Sequence, residues 1–425
     1  MSNFDLFAPY PVSPTKIIRL AGYDSANYKV EDLSGQTYLV KHHMDAESFK
    51  RIEAENKIMA HLSAQLPIKV SSPSYDKLIT YPDGSFSRML CFINGVFLKD
   101  IEATPELSFN FGKIIALSHQ ALCSYKAIEI EAFDHKWNLM NCLDSVEDMN
   151  LIPDPSQRKI VNYFLEQYKQ NCADPLRKLP KQIIHNDLND WNVLVSDDEI
   201  KGIIDFGDLC YAPKICDLAI AMAYLLLDTP TPLIRAIALI EGYLSIQKLD
   251  EKEIELLYYL IPARLCVSVI SSNKERSQGN TEDYIFVTEH KAWTLLSKWL
   301  EINPMLFRNS LMKPLDFPQL NSLSKLISKR KKYLSSALSL SFDDPIHMTS
   351  AAFQYMYAAN GDTYLDAYNN IPHVGHCHPE VTQAAARQIN KLNTNTRYLY
   401  EPLMSYSERL LKYFPHALDK VIFVN

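Results

Sequence analysis

The chain has 425 residues, with 43 Lys and Arg against 50 Asp and Glu and a formal net charge of −7. Apolar residues make up 47% and charged residues 22%, a globular balance that excludes a disordered or collagen-like polymer. The one dense basic run, Lys329-Arg330-Lys331-Lys332, reads as a solvated linker helix. It does not supply the clustered basic face of a nucleic-acid binder, and no nucleic-acid partner is expected.

No run approaches roughly 18 consecutive apolar residues, so no membrane span is expected. The longest apolar stretch, 218–227, lies between Asp217 and Asp228 and reads as a buried helix. The N-terminus lacks a basic segment followed by an apolar one, which speaks against a signal peptide. The eight cysteines (91, 123, 142, 172, 210, 216, 266, 377) form no CxxC pair. They read as reduced, mostly buried thiols of a cytoplasmic protein.

Residues 1–92 form the first predicted unit, small and β-rich. TKIIRLAG, NYKVEDL and QTYLVKHH are three strand-like runs separated by turns. A helix follows over 45–65, with Asp45 as N-cap and an apolar face of Phe49, Ile52, Ile58, Met59 and Leu62. Two more strands flank the Pro82-Asp83-Gly84 turn. Residues 93–303 read as mostly helical, with helix patterns around 105–122, 160–168, 214–227, 230–246, 251–271 and 282–301. Residues 304–345 are Pro- and Ser-punctuated and read as a linker. Residues 346–425 restart with FQYMYAANGDTYLDAYNN, in which Asn360-Gly361 signals a hairpin.

The helical unit is interrupted by IIHNDLNDWNVLVSDDEIKGIIDFGD, 183–208, which holds H-x-D-x-x-x-x-N (His185, Asp187, Asn192) and then Asp205-Phe206-Gly207. VLV (193–195) and IKGII (200–204) read as a β-hairpin. Pairing centred between Asp198 and Glu199 sets Asn192 opposite Asp205, about 5 Å apart at Cα. Two oxygen-bearing side chains so placed suit one hard cation, Mg²⁺, together with phosphate oxygens. Asp187, on the loop entering the hairpin, can accept the proton of an attacking hydroxyl, as in the kinase template. His185 is expected to hold the loop by hydrogen bonding rather than by titrating.

The first unit then holds the nucleotide. Lys41 ends the third strand, where it would reach the α/β-phosphates, and Glu55 in the next helix is its expected ion-pair partner. Glu53 is the fallback, about 200° away around the helix. Gly22, in the turn GYDSANY, belongs to the expected phosphate-covering loop. Leu90 to Phe92, before Asn94-Gly95, form the expected hinge against the base. The competing reading is a fold that keeps these residues without activity.

HNDLNDWNVLV…GIIDFGD resembles the aminoglycoside phosphotransferase/choline kinase superfamily, and HxDLNDxNxL is most similar to its hydroxylysine kinase branch. The resemblance spans about 15–303. It implies an α+β, two-lobed protein-kinase-like fold, with a small β-rich N-lobe and a helical C-lobe. It also implies transfer of the terminal phosphoryl group of ATP or GTP to a small-molecule hydroxyl. On that pattern Asp187 is the base, Asn192 and Asp205 hold Mg²⁺, Lys41 holds phosphates and Asp217 braces the catalytic loop. Asn186 stands where relatives often carry Gly, and Asn tolerates unusual backbone angles better than most residues.

The segment YLDAYNNIPHVGHCHPEVTQAAARQINKLNTNTRYLYEPLMSYSERL resembles the N-terminal part of class III PLP-dependent aminotransferases, nearest to phospho-lyases. The cofactor-phosphate loop and Schiff-base lysine of that family are absent from 346–425. PLP is therefore expected only for a complete aminotransferase domain, and this truncated segment is expected to be inactive by itself. His373, His376, Cys377 and His378 read as a structural turn rather than a zinc site. An incomplete segment is expected to expose Tyr355, Tyr357, Leu365, Tyr368, Ile422 and Phe423, a surface that favours association such as a dimer through this segment. Together the patterns imply a small-molecule kinase whose acceptor is an amino alcohol or a hydroxylated amino acid, hydroxylysine-like. A phospho-lyase would eliminate the ester that such a kinase makes. The alternatives are an aminoglycoside, choline/ethanolamine or homoserine phosphotransferase, or a non-catalytic nucleotide-binding module.

Overall fold

The structure, a computed structural model, describes residues 6–20, 22, 25–279, 288–315, 323–369, 373–395 and 397–423. It divides into two compact units, Met1–His376 and Cys377–Asn425.

The first unit opens with an antiparallel sheet in the order β1-β2-β3-β6-β5. Its strands are β1 (Pro14–Leu20), β2 (Ala26–Asp32), β3 (Thr37–His43), β5 (Ile79–Thr80) and β6 (Phe86–Cys91). The three N-terminal strand runs and the strand pair around Gly84 match the alternation in the sequence. Val30, Val40 and Met89 point to one face, where Leu6, Phe7 and Tyr10 cover them as a small separate core. Helix α1 (Phe49–Gln65) packs Ile52, Ile58, Met59 and Leu62 inward. Asp45 caps the 3₁₀ turn that leads into it, accepting from the Glu47 N–H at 2.9 Å.

The strand β4 (Lys69–Val70) leaves this sheet and pairs in parallel with β10 (Glu199–Ile203). It joins β7 (Val96–Phe97) and β9 (Val193–Ser196) in the order β4-β10-β9-β7. Short two-residue strands carry too little periodicity to be read from sequence, and β4 and β7 were not foreseen.

The helical part is built around α2 (Pro105–Leu122), α3 (Pro155–Asn171), α4 (Ile215–Leu225), α5 (Pro232–Leu244), α6 (Glu251–Ser277), α7 (Glu289–Trp299) and α8 (Pro304–Met312). Every residue of α4 is buried, as its unbroken apolar run implies. The predicted start of the last C-lobe helix, at 282, lies outside the described residues. α2 and α5 touch backbone to backbone: a Cβ on Gly112 would lie 1.9 Å from the Leu239 carbonyl oxygen, and one on Gly242 1.9 Å from that of Phe109. α6 is long and apolar enough, by length and composition, to cross a membrane, yet most of it is buried inside the protein. It starts with a reciprocal capping box between Asp250 and Glu253. Pro262 inside it has no N–H to offer the Tyr258 carbonyl, and that oxygen instead accepts the Trp299 indole N–H at 3.1 Å.

Helix α9 (Leu323–Tyr333), which carries the basic run, has no buried residue. The meander β12 (Met348–Ala352), β13 (Tyr355–Ala358) and β14 (Thr363–Leu365) follows, with Gly361 at φ 101° in the foreseen turn. It packs on the helical core rather than standing free. Tyr357, expected to be exposed, is 1% exposed, and its hydroxyl donates to the Leu300 carbonyl at 2.5 Å. The Asn303 amide donates to the Ala358 and Asp362 carbonyls at 2.8 and 2.7 Å. The expectation failed because the alternation of β13 gives its inner face but not the partner that covers it. Leu365 and Tyr368 are exposed as expected.

The second unit holds α10 (Pro379–Lys391) and α11 (Glu401–Leu411). Ile389, Leu399, Met404, Tyr413, Ile422 and Phe423 are exposed there. The eight cysteines are free thiols, five of them buried.

Candidate active site

The loop 185–192 leaves β8 (Lys181–Ile184), which pairs antiparallel with β11 (Cys210–Pro213), and enters β9. Two features bend it. Asn186 takes φ 64°, the left-handed region that Asn tolerates. The Asn189 side-chain oxygen accepts the N–H groups of Trp191 (2.8 Å) and Asn192 (3.1 Å), an Asx turn that closes the loop. One buried carboxylate clamps the bend from α4. Asp217 accepts from the backbone N–H of His185 at 3.1 Å and of Asn186 at 2.7 Å, and pairs with His119 Nε2 at 3.0 Å. The His185 ring spans the loop, with Nε2 3.1 Å from the Ile204 carbonyl and Nδ1 accepting the Asp187 N–H at 3.3 Å. Burial pushes its imidazole pKa down, which suits a neutral brace.

Asp187 sits among donors. Arg264 Nη2 lies 2.8 Å from Oδ1, Asn189 Nδ2 lies 3.0 Å from both oxygens, and Asn192 Nδ2 lies 2.6 Å from Oδ2. Burial raises the Asp187 carboxyl well above the usual carboxylate range, and Arg264 opposes that rise. With Nδ2 of Asn192 committed to Asp187, Oδ1 of the same amide is left for another partner. The Asn192 carbonyl accepts the Ile204 N–H at 3.0 Å, so Asp205 is the next residue along.

The predicted hairpin register is corrected here. Asp197 and Asp198 both have positive φ (52° and 58°) and form a two-residue turn of the I′ kind. The turn thus sits one residue earlier than predicted, with Glu199 facing Ser196, and a bulge between Ile200 and Gly202 recovers only one position, so Val193 faces Ile203 and Asn192 comes level with Ile204 rather than Asp205. Asp205 is the residue that follows the Asn192–Ile204 hydrogen bond. Asp205 leaves the strand in the left-handed region (φ 60°), a strained conformation of the kind concentrated at functional sites. Phe206 anchors the turn, buried 4.5 Å from the His185 ring.

The Lys41–Glu55 pair is also corrected. Lys41 Nζ lies 2.6 Å from Asp205 Oδ1, linking β3 to the loop after β10. Lys41 is the first cause holding the Asp205 carboxyl below its usual range. Glu55 is fully buried and paired with Arg88 at 2.9 Å and Arg51 at 3.1 Å. The cause is register. Lys41 and Arg88 are directly opposite on β3 and β6, and it is Arg88 that takes the carboxylate. Glu53 pairs with Lys57 at 3.6 Å on the surface.

Of the remaining predicted positions, Gly22 is exposed, and residues 23–24 of its loop lie outside the described residues. Leu90 is buried in the core with Ala54 and Ile58. Phe92 is half-buried, with Lys29 Nζ 4.3 Å above its ring. His376 pairs with Asp366 at 2.8 Å, and no cluster of three or more His, Cys, Asp or Glu able to hold a metal occurs among the described residues. A hard cation here would instead draw on Asn192 Oδ1 and the Asp205 carboxylate, which is half exposed, and on ligand phosphates.

Sequence reasoning missed Arg264, Asn189, His119 and Arg88. Arg264 had a signal, being the one charge in the apolar stretch LIPARLCVSVI of α6. His119 and Arg88 had none, because their partners come from distant strands and helices. Asp190 was also passed over. It is buried, its Oδ1 has no hydrogen-bond partner, and burial pushes its carboxyl up to about 6.

Comparison with known proteins bears on the family and the fold. The hydroxylysine kinase of Danio rerio is 27% identical over 316 residues, which are 69% of this chain and 88% of that protein. A solved amicoumacin kinase in complex with AMP-PNP and Ca²⁺ superposes with a TM-score of 0.55 at 16% identity, over 70% of this chain and 93% of that one. That likeness places the fold as two-lobed and kinase-like. The C-terminal segment is 37% identical over 105 residues to the alanine–glyoxylate aminotransferase 2-like protein of Drosophila melanogaster, 24% of this chain but only 21% of that protein. Residues 341–425 match the aminotransferase class-III family. Residues 16–252, more than half of the chain, match the phosphotransferase enzyme family; the chain belongs to that family and is a phosphotransferase acting on small-molecule hydroxyl groups.

Proposed function

We propose that the chain transfers the terminal phosphoryl group of ATP or GTP to the hydroxyl of a hydroxylated amino acid or amino alcohol, hydroxylysine-like. The carrying observation is the 2.6 Å contact of Lys41 with Asp205, which brings a β3 lysine to the carboxylate that follows Ile204, the residue bonded to Asn192, whose amide in turn holds the half-buried Asp187. In this reading the acceptor hydroxyl gives its proton to Asp187 as its oxygen bonds to the terminal phosphorus. The bond from that phosphorus to the bridging oxygen breaks, leaving the nucleoside diphosphate. The raised Asp187 carboxyl suits a general base working near neutral pH. Asn192 Oδ1 and Asp205 would hold Mg²⁺, which when bound neutralises phosphate charge. Lys41 exchanges Asp205 for the phosphates. The donors crowding Asp187 fix its carboxylate plane, and His185 and Asp217 fix the loop. The 27% identical hydroxylysine kinase supports the acceptor class.

The test is turnover with ATP or GTP, Mg²⁺ and a panel of 5-hydroxylysine, ethanolamine, choline, homoserine and aminoglycosides. Transfer to 5-hydroxylysine or an amino alcohol is expected. Asp187→Asn should lower kcat by about 10²–10⁴-fold with nucleotide affinity nearly unchanged. Undiminished turnover in that variant removes the base assignment.

A further inference from the structure

Arg264 is a charge that the fold hides and does not fully use. It is 3% exposed on α6. Its Nη2 lies 2.8 Å from Asp187 Oδ1, and its Nε donates to the Tyr224 hydroxyl at 3.3 Å. Its guanidinium carbon lies 5.0 Å from the centre of the Trp137 ring and 5.5 Å from that of Tyr224. The remaining terminal nitrogen, Nη1, is buried with no hydrogen-bond acceptor. Buried donors in native proteins are nearly always paired, so an orphan on an always-charged group calls for a missing anion.

We infer that Arg264 is the carboxylate site for the acceptor, which makes the acceptor a hydroxylated amino acid rather than an amino alcohol. This rests on the reading of Asp187 as the base. A guanidinium is a rigid planar fork matched to carboxylate geometry. One tooth holds the base and the adjacent tooth is left for the substrate's anion. The same plane therefore fixes how far the reacting hydroxyl stands from the acceptor's carboxylate. Trp137 and Tyr224 hold that plane by stacking. Trp137 is half-buried and Tyr224 buried. A purely cationic acceptor such as choline or an aminoglycoside gains nothing from Nη1 and meets like charge.

The experiment compares 5-hydroxylysine with its carboxamide, by calorimetric titration and by turnover. The wild-type chain should bind the acid about 10- to 100-fold tighter than the amide. Arg264→Met should erase that preference, and Arg264→Lys, which keeps the charge without the fork, should keep only part of it. Arg264 also touches Asp187, so kcat falls for both acceptors in Arg264→Met, and the deciding quantity is the acid-to-amide ratio of kcat/KM. A collapsed ratio supports the carboxylate site. An unmoved ratio with both rates lowered equally identifies Arg264 as only a support for Asp187 and overturns the proposal. So does a wild-type chain that binds acid and amide alike, or binds neither. Asp187→Asn run alongside separates the two readings: retained turnover there refutes the base, while the acid-to-amide binding ratio still judges Arg264. If Arg264→Met melts before assay temperature, Arg264→Lys and Arg264→Gln carry the comparison.

Discussion

Replacing Asp217 by Asn asks whether the loop bearing Asp187 is held by a single buried carboxylate. Asp217 is 1% exposed and accepts two backbone N–H groups, from His185 and Asn186, besides pairing with His119. Hydrogen bonds to a charged group contribute about 1.5–3 kcal/mol each. Asparagine fits the same space but keeps one acceptor oxygen, and it turns an NH₂ toward a backbone N–H that has no other acceptor. Losing one or two of the three interactions costs about 2–5 kcal/mol. For a domain of this size that lowers Tm by roughly 3–6 °C. The Asn186 bend then relaxes, moving Asp187 away from its donors, so kcat should fall more than nucleotide KM rises, because Lys41 lies on another element. Differential scanning calorimetry and steady-state kinetics read both effects. A variant that melts within about 1 °C of wild type and turns over normally would refute the clamp.

Three further outcomes are expected. Glu55→Gln leaves Arg88, which is 2% exposed, and Arg51 without their counter-ion, and should cost about 3–5 kcal/mol in urea unfolding. Gly242→Ala drives a methyl to within 1.9 Å of the Phe109 carbonyl. It should cost about 1–3 kcal/mol or more, seen as a lowered denaturation midpoint, with Gly112→Ala behaving alike. Burial, with Arg88 and Lys41 nearby, pushes the His43 imidazole down to about 3, so between that value and its ordinary 6.5 the unfolded chain binds a proton that the native chain does not. Stability attributable to His43 is therefore present above pH 6.5 and falls by up to about 1.4 kcal/mol per pH unit below it. His43→Gln should show a shallower acid slope in pH-dependent melting.

Much of the fold was legible because its signals are local. The alternation of β1–β3, the Asp45 cap, the apolar run of α4 and the Asn360-Gly361 turn each declare themselves within a few residues. The catalytic-loop motif was legible because its chemistry is compressed into 183–208. What stayed hidden depends on register and on distant partners. The loss of Glu55 to Arg88 follows from a cross-strand alignment no spacing rule fixes. Asn192 comes level with Ile204 because the turn closes on Asp197 and Asp198, one residue before the predicted centre, and the bulge at Lys201 recovers only part of that shift. Tyr357 looked exposed because the helix end that covers it lies more than fifty residues earlier.

The seating of β12–β14 on the helical core has a consequence for ancestry. The aminotransferase pattern begins at residue 341, but the first compact body runs to His376. Between those points lies a strip of one lineage serving as a buttress for the other. Asn303 fastens it, capping α8 through its oxygen while its nitrogen grips the β13–β14 turn. A recombination break at the seam of the two patterns would leave that asparagine and the Leu300 carbonyl without their counterparts. Each half of this gene thus restrains how the other can be shuffled or replaced.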